Sequence, residues 1–357
     1  MLGESDQTDV IPGSLRNDPA VAENESEAAF VGTITPGLSD AGAISDTTSF
    51  AAGGGKVRVG DRIFGGLTSA AGIFVVVLIA LVALFLISKA VPAIVHDKAN
   101  FFTSSEFNLD TPGKFRFGIA ALLWVTVIIS IEAMVIAVPV SIGIALFITL
   151  YAPKRLASSV AFVVNLLAAV PSIIYGLWGF TVFGPAFYPV QSFFYHLDFI
   201  PLFKEKSGDA YTVFVGGVVL AIMILPIVTA VSRDVFDRTP RANIEAALAL
   251  GATRWEMIRM SVLPYGRGGV ISGAMLGLGR ALGETIAVLL ILHVPSHFSF
   301  SLMQGGQTFA SLIALNAGEM SAQQAPAYMA AGLVLFVLTF LVNAAARTVV
   351  NRRKDFV

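Results

Sequence analysis

Three side chains in the segment 277–288, which reads GLGRALGETIAV, have the types and spacing to bind an anion. Arg280 and Glu284 stand four residues apart in the otherwise uncharged run 268–292, and Thr285 follows directly. An arginine guanidinium is planar, stays protonated and can donate to two oxygens of one oxyanion. The carboxylate would offset part of that charge, so that the anion is not trapped, and the hydroxyl could donate one further hydrogen bond. These residues therefore predict reversible oxyanion binding, with Arg280 as the anion contact.

The same spacing also permits a purely structural arrangement. Side chains four residues apart on an α-helix are neighbours, so Arg280 and Glu284 could neutralise each other. Such a pair would hold two helices together without binding anything else. The residues alone leave both interpretations open.

The composition places this segment in a membrane. The 357-residue chain is 55% hydrophobic and 13% charged, and its mean hydropathy of +0.78 is too high for an ordinary soluble domain. A bilayer core about 30 Å thick needs roughly 20 apolar helical residues. We therefore predict an all-α membrane protein with about six transmembrane helices, at 64–88, 118–150, 157–183, 212–232, 268–292 and 327–347.

Charge inside such a helix is unfavourable and therefore informative. A charged side chain at the bilayer centre costs about 3 kcal/mol or more, which indicates a functional site. Small residues recur every four positions in the fifth predicted helix, at Gly269, Gly273, Gly277 and Ala281. A stripe of this kind lets two helices approach closely. At about 100° per residue, Arg280 and Glu284 lie within roughly 60° of the stripe, so we expect them to face the bundle interior.

Basic residues in the connections predict the orientation of the chain. Fifteen lie on one side of the predicted membrane and six on the other. Both termini are therefore expected in the cytoplasm. Residues 1–55, in which Arg16 is the only basic residue, are expected to form a disordered acidic tail. Residues 56–357 are expected to form the transmembrane domain.

The connection 237–267 is predicted to be cytoplasmic and to contain two short helices. Thr239 is the expected N-cap of the first helix, with Pro240 at its first position. Gly251 is its expected end, because glycine readily adopts the left-handed conformation found there.

The second helix of this connection has its own start and stop signals. Thr253 and Glu256 have the spacing of a capping box, and Pro264 is the expected end. The exposed face of the two-helix unit is expected to carry Glu245, Ala246, Ala247 and Gly251. Small residues with one carboxylate suit docking into the groove of a partner protein. An ordinary helical hairpin lying on the membrane is the alternative.

Other polar residues give weaker signals. Glu132, inside the second predicted helix, is interpreted as a buried protonated acid or as a partner for Arg280. Asn165 is expected to form an interhelical hydrogen bond. His293 and His297 are four residues apart, but a proline between them breaks the helix that would align them.

The sequence also excludes several kinds of chemistry. It contains no cysteine, which excludes disulfides and thiolate sites. It has no G-x-x-x-x-G-K-[ST] loop, so any ATP that drives the protein must be hydrolysed by another polypeptide. We expect no catalytic activity, cofactor, metal or nucleic-acid partner for this chain.

The string EAALALGATRWEMIRMSVLP (245–264) resembles the EAA motif of bacterial ABC importer permeases. The matching positions are Glu245, Ala246, Ala247, Gly251, Leu263 and Pro264. Ser261 stands where the motif usually has isoleucine. In that family this loop is the coupling helix, which sits in a cleft of the ATPase subunit. The resemblance thus implies an ATPase-coupling role for the first four of these residues.

Four further strings are similar to the PstC-type permease subunits of bacterial phosphate ABC importers. They are AVPVSIGIALF (137–147), LLAAVPSIIYGLWG (166–179), DVFDRTP (234–240) and LGLGRALGETIAVLLI (276–291). The resemblance covers most of residues 115–350. It implies a type I importer fold in the cell membrane that moves inorganic phosphate by alternating access, with Arg280 and Glu284 in the path.

The resemblance also implies partners. These are a second, PstA-like permease, a dimer of ATP-binding ATPase subunits and an extracytoplasmic phosphate-binding protein, with membrane lipid around the complex. Two alternatives stay open at this point. One is a permease for another tetrahedral oxyanion, such as sulfate or molybdate, and the other is a membrane scaffold that signals phosphate through the same complex.

Overall fold

The computed structural model of the chain describes residues 59–96, 100–105, 107–109, 116–196, 199–204, 208–295 and 297–351. The predicted acidic tail, 1–55, lies outside the described residues. The described part is mostly helical, with one short hairpin.

The elements follow one another in a single order along the chain. They are α1 (Val59–His96), β1 (Phe107–Asn108), β2 (Arg116–Phe117), α2 (Ala120–Leu146), α3 (Lys154–Ala169), α4 (Ser172–Trp178), α5 (Gly184–Phe194), α6 (Val213–Asp237), α7 (Arg241–Ala249), α8 (Arg254–Met257), α9 (Leu263–Leu282), α10 (Ile286–Ile291), α11 (Phe309–Asn316) and α12 (Ala325–Asn351). Wide π-helical turns at Phe147–Tyr151, Gly179–Phe183 and Ile258–Val262 connect or extend helices, and Pro201–Phe203 forms a 3-10 turn. The strands β1 and β2 pair antiparallel, with Phe107 opposite Phe117.

Five helical stretches in the described residues are long and apolar enough to cross a membrane. They are Gly60–Val95, Ala120–Tyr151, Ser172–Phe194, Val213–Asp237 and Ala325–Thr348. The first four predicted helices and the sixth each overlap one of these stretches. The all-α membrane fold is thus confirmed.

The predicted third helix, 157–183, is wrong in its bounds. Val170 and Pro171 adopt extended backbone conformations, so the helix stops at Ala169 and restarts at Ser172. Steric contact with the proline ring disfavours helical geometry in the preceding residue, which explains the break. The apolar helix then runs on to Phe194, beyond the predicted end at 183.

The predicted fifth helix, 268–292, is also wrong in its bounds. Its helical part begins earlier, since α9 continues from α8 through the π-helical turn, and it stops at Leu282. Residues 283–285 are not helical, and α10 follows. Neither piece is among the five membrane-length stretches, because glycines and Arg280 lower the hydropathy of α9.

The helix α6 lies at the centre of the packing, between α2 and α9. The Ser141 hydroxyl on α2 donates to the Leu225 carbonyl on α6 at 3.0 Å. On the other side, a Cβ added to Gly273 or Gly277 would lie 3.0 Å from Val231 or 2.9 Å from Val228. The small-residue stripe therefore packs directly against α6, as predicted.

Candidate functional site

Arg280 lies in the last turn of α9, where the helix approaches its end. Its side chain is half-buried, and its Nε is buried without a hydrogen-bond partner among the described residues. The guanidinium interacts electrostatically with Tyr175 of α4, whose hydroxyl donates to the Leu167 carbonyl at 2.9 Å. A buried donor that the chain itself leaves unpaired can bind an acceptor from outside.

Glu284 lies in the break that follows α9 and is 8% exposed. Its Oε1 accepts a hydrogen bond from the Ala287 amide at 3.3 Å, which satisfies one free N–H at the start of α10. The described residues contain no ion pair between Arg280 and Glu284 within 4.0 Å. The self-neutralised pair is therefore not formed here, because the helix that would align the two side chains ends between them.

Thr285 is the N-terminal flanking residue of α10 and is half-buried. Its hydroxyl donates to the Gly283 carbonyl at 3.1 Å, within the break itself. Its proton is thus engaged locally, and its role as a donor to an anion stays a prediction.

The position of α10 depends on a close contact with α4. A Cβ added to Gly176 would lie 2.7 Å from the Ala287 Cα, so only glycine permits this approach. The contact brings Tyr175, the neighbour of Gly176, to the side of the site that Arg280 occupies. The arginine, the break and the start of α10 therefore form one local site.

Glu132 of α2 is separate from this site. Both carboxyl oxygens are buried without a hydrogen-bond partner among the described residues, and they pack against Gly217 of α6. The structure gives no ion pair between Glu132 and Arg280, so the predicted partnership is not formed. The protonated state of Glu132 stays a prediction.

The remaining polar candidates have ordinary surroundings. Asn165 is exposed on α3, and its side chain has no hydrogen-bond partner within the described part of the chain. His293 Nδ1 lies 3.5 Å from Asp209 Oδ2, and His297 Nε2 lies 3.4 Å from Gln304 Nε2. The described residues hold no group of three potential metal ligands.

The connection 237–267 forms a two-helix unit of α7 and α8, as its sequence predicts, but α8 runs on into α9 through the π-helical turn. The helix α7 ends at Ala249, and Gly251 has a φ of +84°, in the left-handed region that favours glycine. The flanking residue at the start of α7 is Pro240, one position later than the predicted Thr239.

The predicted capping box at α8 is confirmed. The Glu256 amide donates to the Thr253 hydroxyl at 3.3 Å, and the Thr253 amide donates to Glu256 Oε2 at 2.8 Å. The bond from the Thr253 amide, followed by that from its hydroxyl, lowers the pKa of the exposed Glu256 carboxyl. Because a lowered pKa keeps the carboxylate ionised, the cap persists at neutral pH and weakens only as the pH falls through that pKa.

Pro264 does not end this helix, contrary to the prediction. It lies at the start of α9, directly after the π-helical turn Ile258–Val262. A wide turn of this kind lets the chain continue past a residue that has no amide hydrogen. The hydroxyl of Ser261, the position that departs from the EAA motif, donates to the Asn243 carbonyl at 3.2 Å and ties the turn to α7.

The surface of this unit differs from the predicted one at one position. Glu245, Ala246 and Gly251 are exposed, but Ala247 is buried against a cluster that includes Met257 and Phe236. Ala247 therefore positions α7 and does not form part of an outer surface.

The sequence did not indicate the exposed apolar side chains of this unit, of which Leu250 is the most exposed. Leu250 is 90% exposed and Trp255 is 59% exposed. Both are large apolar residues outside the membrane-length helices. That sequence feature could have identified them, because exposed apolar residues are typical of a protein–protein interface.

The chain matches a known family over most of its length. Residues 137–355 match the family described as the binding-protein-dependent transport system inner membrane component. The chain is 52% identical over 299 residues to the phosphate transport system permease protein PstC 2 of Mycobacterium bovis, covering 82% of this chain and 92% of that protein. It is 39% identical over 300 residues to the phosphate transport system permease protein PstC of Mesorhizobium japonicum, covering 82% and 90%.

Solved structures of bacterial importers show a remote similarity. A bacterial ABC transporter involved in the import of the acidic polysaccharide alginate aligns with a TM-score of 0.49 at 18% identity, covering 82% of this chain and 99% of that chain. An inward-facing MetNI methionine ABC transporter aligns with a TM-score of 0.47 at 18% identity, covering 66% and 94%.

Proposed function

Because this chain belongs to the family of binding-protein-dependent transport system inner membrane components, we propose that it is the permease subunit that conducts inorganic phosphate in an ATP-driven importer. It is a multi-pass membrane protein. The relatives that share about half of its residues are named phosphate permeases, which supports phosphate as the transported anion.

The observation that carries the proposal is the unpaired guanidinium of Arg280. Its Nε is buried and has no acceptor among the described residues, while Glu284 is held by the amide of Ala287. A fixed cation with free donors lowers the cost of moving an oxyanion through an apolar region. Glu284 lies close in sequence and limits the affinity, so that the anion is released.

The energy for transport comes from other subunits in this proposal. The unit 237–267 presents Glu245, Ala246, Leu250 and Gly251 at its surface, and we assign this surface to the contact with the ATPase. An ATPase dimer, a second PstA-like permease and an extracytoplasmic phosphate-binding protein complete the complex. The chain itself performs no bond chemistry, and both of its termini lie in the cytoplasm.

Uptake by the reconstituted complex tests this proposal. Proteoliposomes that hold all subunits, with ATP on the side of the ATPase, are expected to accumulate labelled phosphate. A non-hydrolysable ATP analogue is the matched control and is expected to support none. Accumulation of sulfate or molybdate in place of phosphate would contradict the choice of substrate, and signalling without any uptake would contradict the permease role.

A further inference from the structure

A cleft between α9 and α12 extends the site beyond Arg280. Its volume is about 530 Å³, and its polar lining consists of Ser272, Arg280, Asn343 and Arg347. Ser272 and Arg280 are eight residues apart on α9, so the cleft follows this helix for about 12 Å. Ser272 lies in the half of α9 that is nearer to the two-helix unit 237–267.

The charge of the cleft is positive. Two arginines line it, and none of its lining residues is acidic. Arg347 has no hydrogen bond or ion pair with any other described residue, and the Nε of Arg280 is buried and unpaired. Two cations that the surrounding chain leaves uncompensated favour an anion in the space between them.

The second arginine has a suitable neighbour on its own helix. Asn343 and Arg347 are four residues apart on α12, which places them on the same face. An amide and a guanidinium on one face can donate to different oxygens of a tetrahedral oxyanion.

We propose that Arg347 and Asn343 form a second oxyanion subsite, which receives the phosphate group that leaves Arg280. The inference rests on the proposed function. The same chemistry would also bind the phosphate of a lipid headgroup, but the continuity of the cleft with Arg280 favours free phosphate as the ligand. Transport then proceeds between two weak sites and needs no single tight site.

The experiment uses the full complex in phosphatidylcholine proteoliposomes with ATP and increasing unlabelled phosphate on the ATPase side. Entry of labelled phosphate is measured. The proposal places the subsite between Arg280 and the ATPase side, so added phosphate is expected to slow import by the unaltered complex. Arg347→Gln is expected to require about tenfold more phosphate for the same inhibition, as the loss of one bidentate contact implies. Asn343→Ala is expected to show a smaller shift in the same direction.

Arg155→Gln is the matched control, because Arg155 is an exposed arginine outside the cleft. It is expected to behave like the unaltered complex. Arg347→Lys keeps the charge but loses the two-pronged geometry. The phosphate concentration that it needs for the same inhibition is therefore expected to lie between those for Arg155→Gln and Arg347→Gln. Equal inhibition of Arg347→Gln and Arg155→Gln, or no inhibition of the unaltered complex, would overturn the subsite.

A second arm separates the two sources of phosphate. If Arg347→Gln differs from the control only when anionic phosphatidylglycerol is added, the ligand is a lipid headgroup and the assignment to free phosphate is overturned. The two proposals also fail in different ways. An unaltered complex that imports no phosphate contradicts the proposed function, whereas import that depends on Arg280 but is indifferent to Arg347 contradicts only the subsite.

Discussion

At the scale of single residues, a backbone amide binds Glu284 and leaves the Nε of Arg280 without a hydrogen-bond partner among the described residues. The Glu284 carboxylate is bound by the Ala287 amide at the start of α10. The Arg280 guanidinium therefore keeps an unpaired buried donor. The cation proposed to attract the anion and the carboxylate proposed to limit its affinity are thus held by different local structures.

Substitution of Glu284 tests this division. Glu284→Ala removes the acceptor and leaves the Ala287 N–H unpaired in a buried place, which costs about 1–3 kcal/mol. Glu284→Gln keeps an acceptor oxygen in the same position. We expect the melting temperature of the purified complex to fall with alanine and to stay near that of the unaltered complex with glutamine. Equal losses for both variants would show that the charge, and not the hydrogen bond, holds the segment.

At the scale of elements, the contact between α6 and α9 positions Arg280. A Cβ added to Gly269 would overlap the side chain of Val235, whereas a Cβ added to the neighbouring Gly268 would meet nothing within 4 Å. The two glycines are adjacent on one helix and have the same helix propensity, so they form a matched pair.

Alanine substitutions at this pair test the contact. Gly269→Ala is expected to force α9 away from α6 and to destabilise the complex by about 1–3 kcal/mol, the usual cost of overpacking. Gly268→Ala is expected to be neutral or slightly stabilising. Thermal unfolding of the purified complex measures both. A larger loss for Gly268→Ala than for Gly269→Ala would contradict the packing.

Features that follow from local residue spacing can be predicted from the sequence more reliably than the points at which a helix breaks. The stripe on α9 and the capping box at Thr253 follow from local spacing, and both are confirmed. The break at 283–285 could not be predicted, because it depends on the packing of α10 against Gly176, which is more than 100 residues away in the sequence. The break at Pro171 was readable from the proline itself.

Pro264 and Ala247 show the opposite limit. A proline usually ends a helix, because it has no amide hydrogen to donate. The π-helical turn before Pro264 lets the helix continue without that hydrogen bond. Ala247 belongs to a motif associated with docking, yet its place in the core is decided by the fold of α7 onto Met257 and Phe236. Both outcomes depend on tertiary contacts that the local pattern does not contain.

At the scale of the whole molecule, one continuous stretch of helix joins the two-helix unit 237–267, which carries the proposed surface for the ATPase, to Arg280 in the proposed anion path. The chain runs from α8 through the π-helical turn Ile258–Val262 into α9, which ends beside Arg280. A displacement of the two-helix unit 237–267 would therefore be transmitted along α9. The 90% exposed Leu250 lies at the outer surface of that unit.

Leu250→Asp tests the coupling surface. A carboxylate in an apolar interface is unfavourable, so we expect loss of the ATPase subunits from the purified complex and loss of uptake. Phe199→Asp is the control, because Phe199 is also strongly exposed but lies outside the unit. Co-purification of the ATPase is the measurement. Retention of the ATPase by Leu250→Asp would assign the contact to another surface.

Labelled phosphate uptake by complexes that carry Arg280→Gln is the decisive test of anion binding by Arg280. ATP hydrolysis is assayed in the same vesicles, and Arg155→Gln is the control. We predict that Arg280→Gln lowers uptake at least about tenfold, while the complex still assembles and hydrolyses ATP. Uptake near the level of the control would contradict the claim that Arg280 binds the anion during transport.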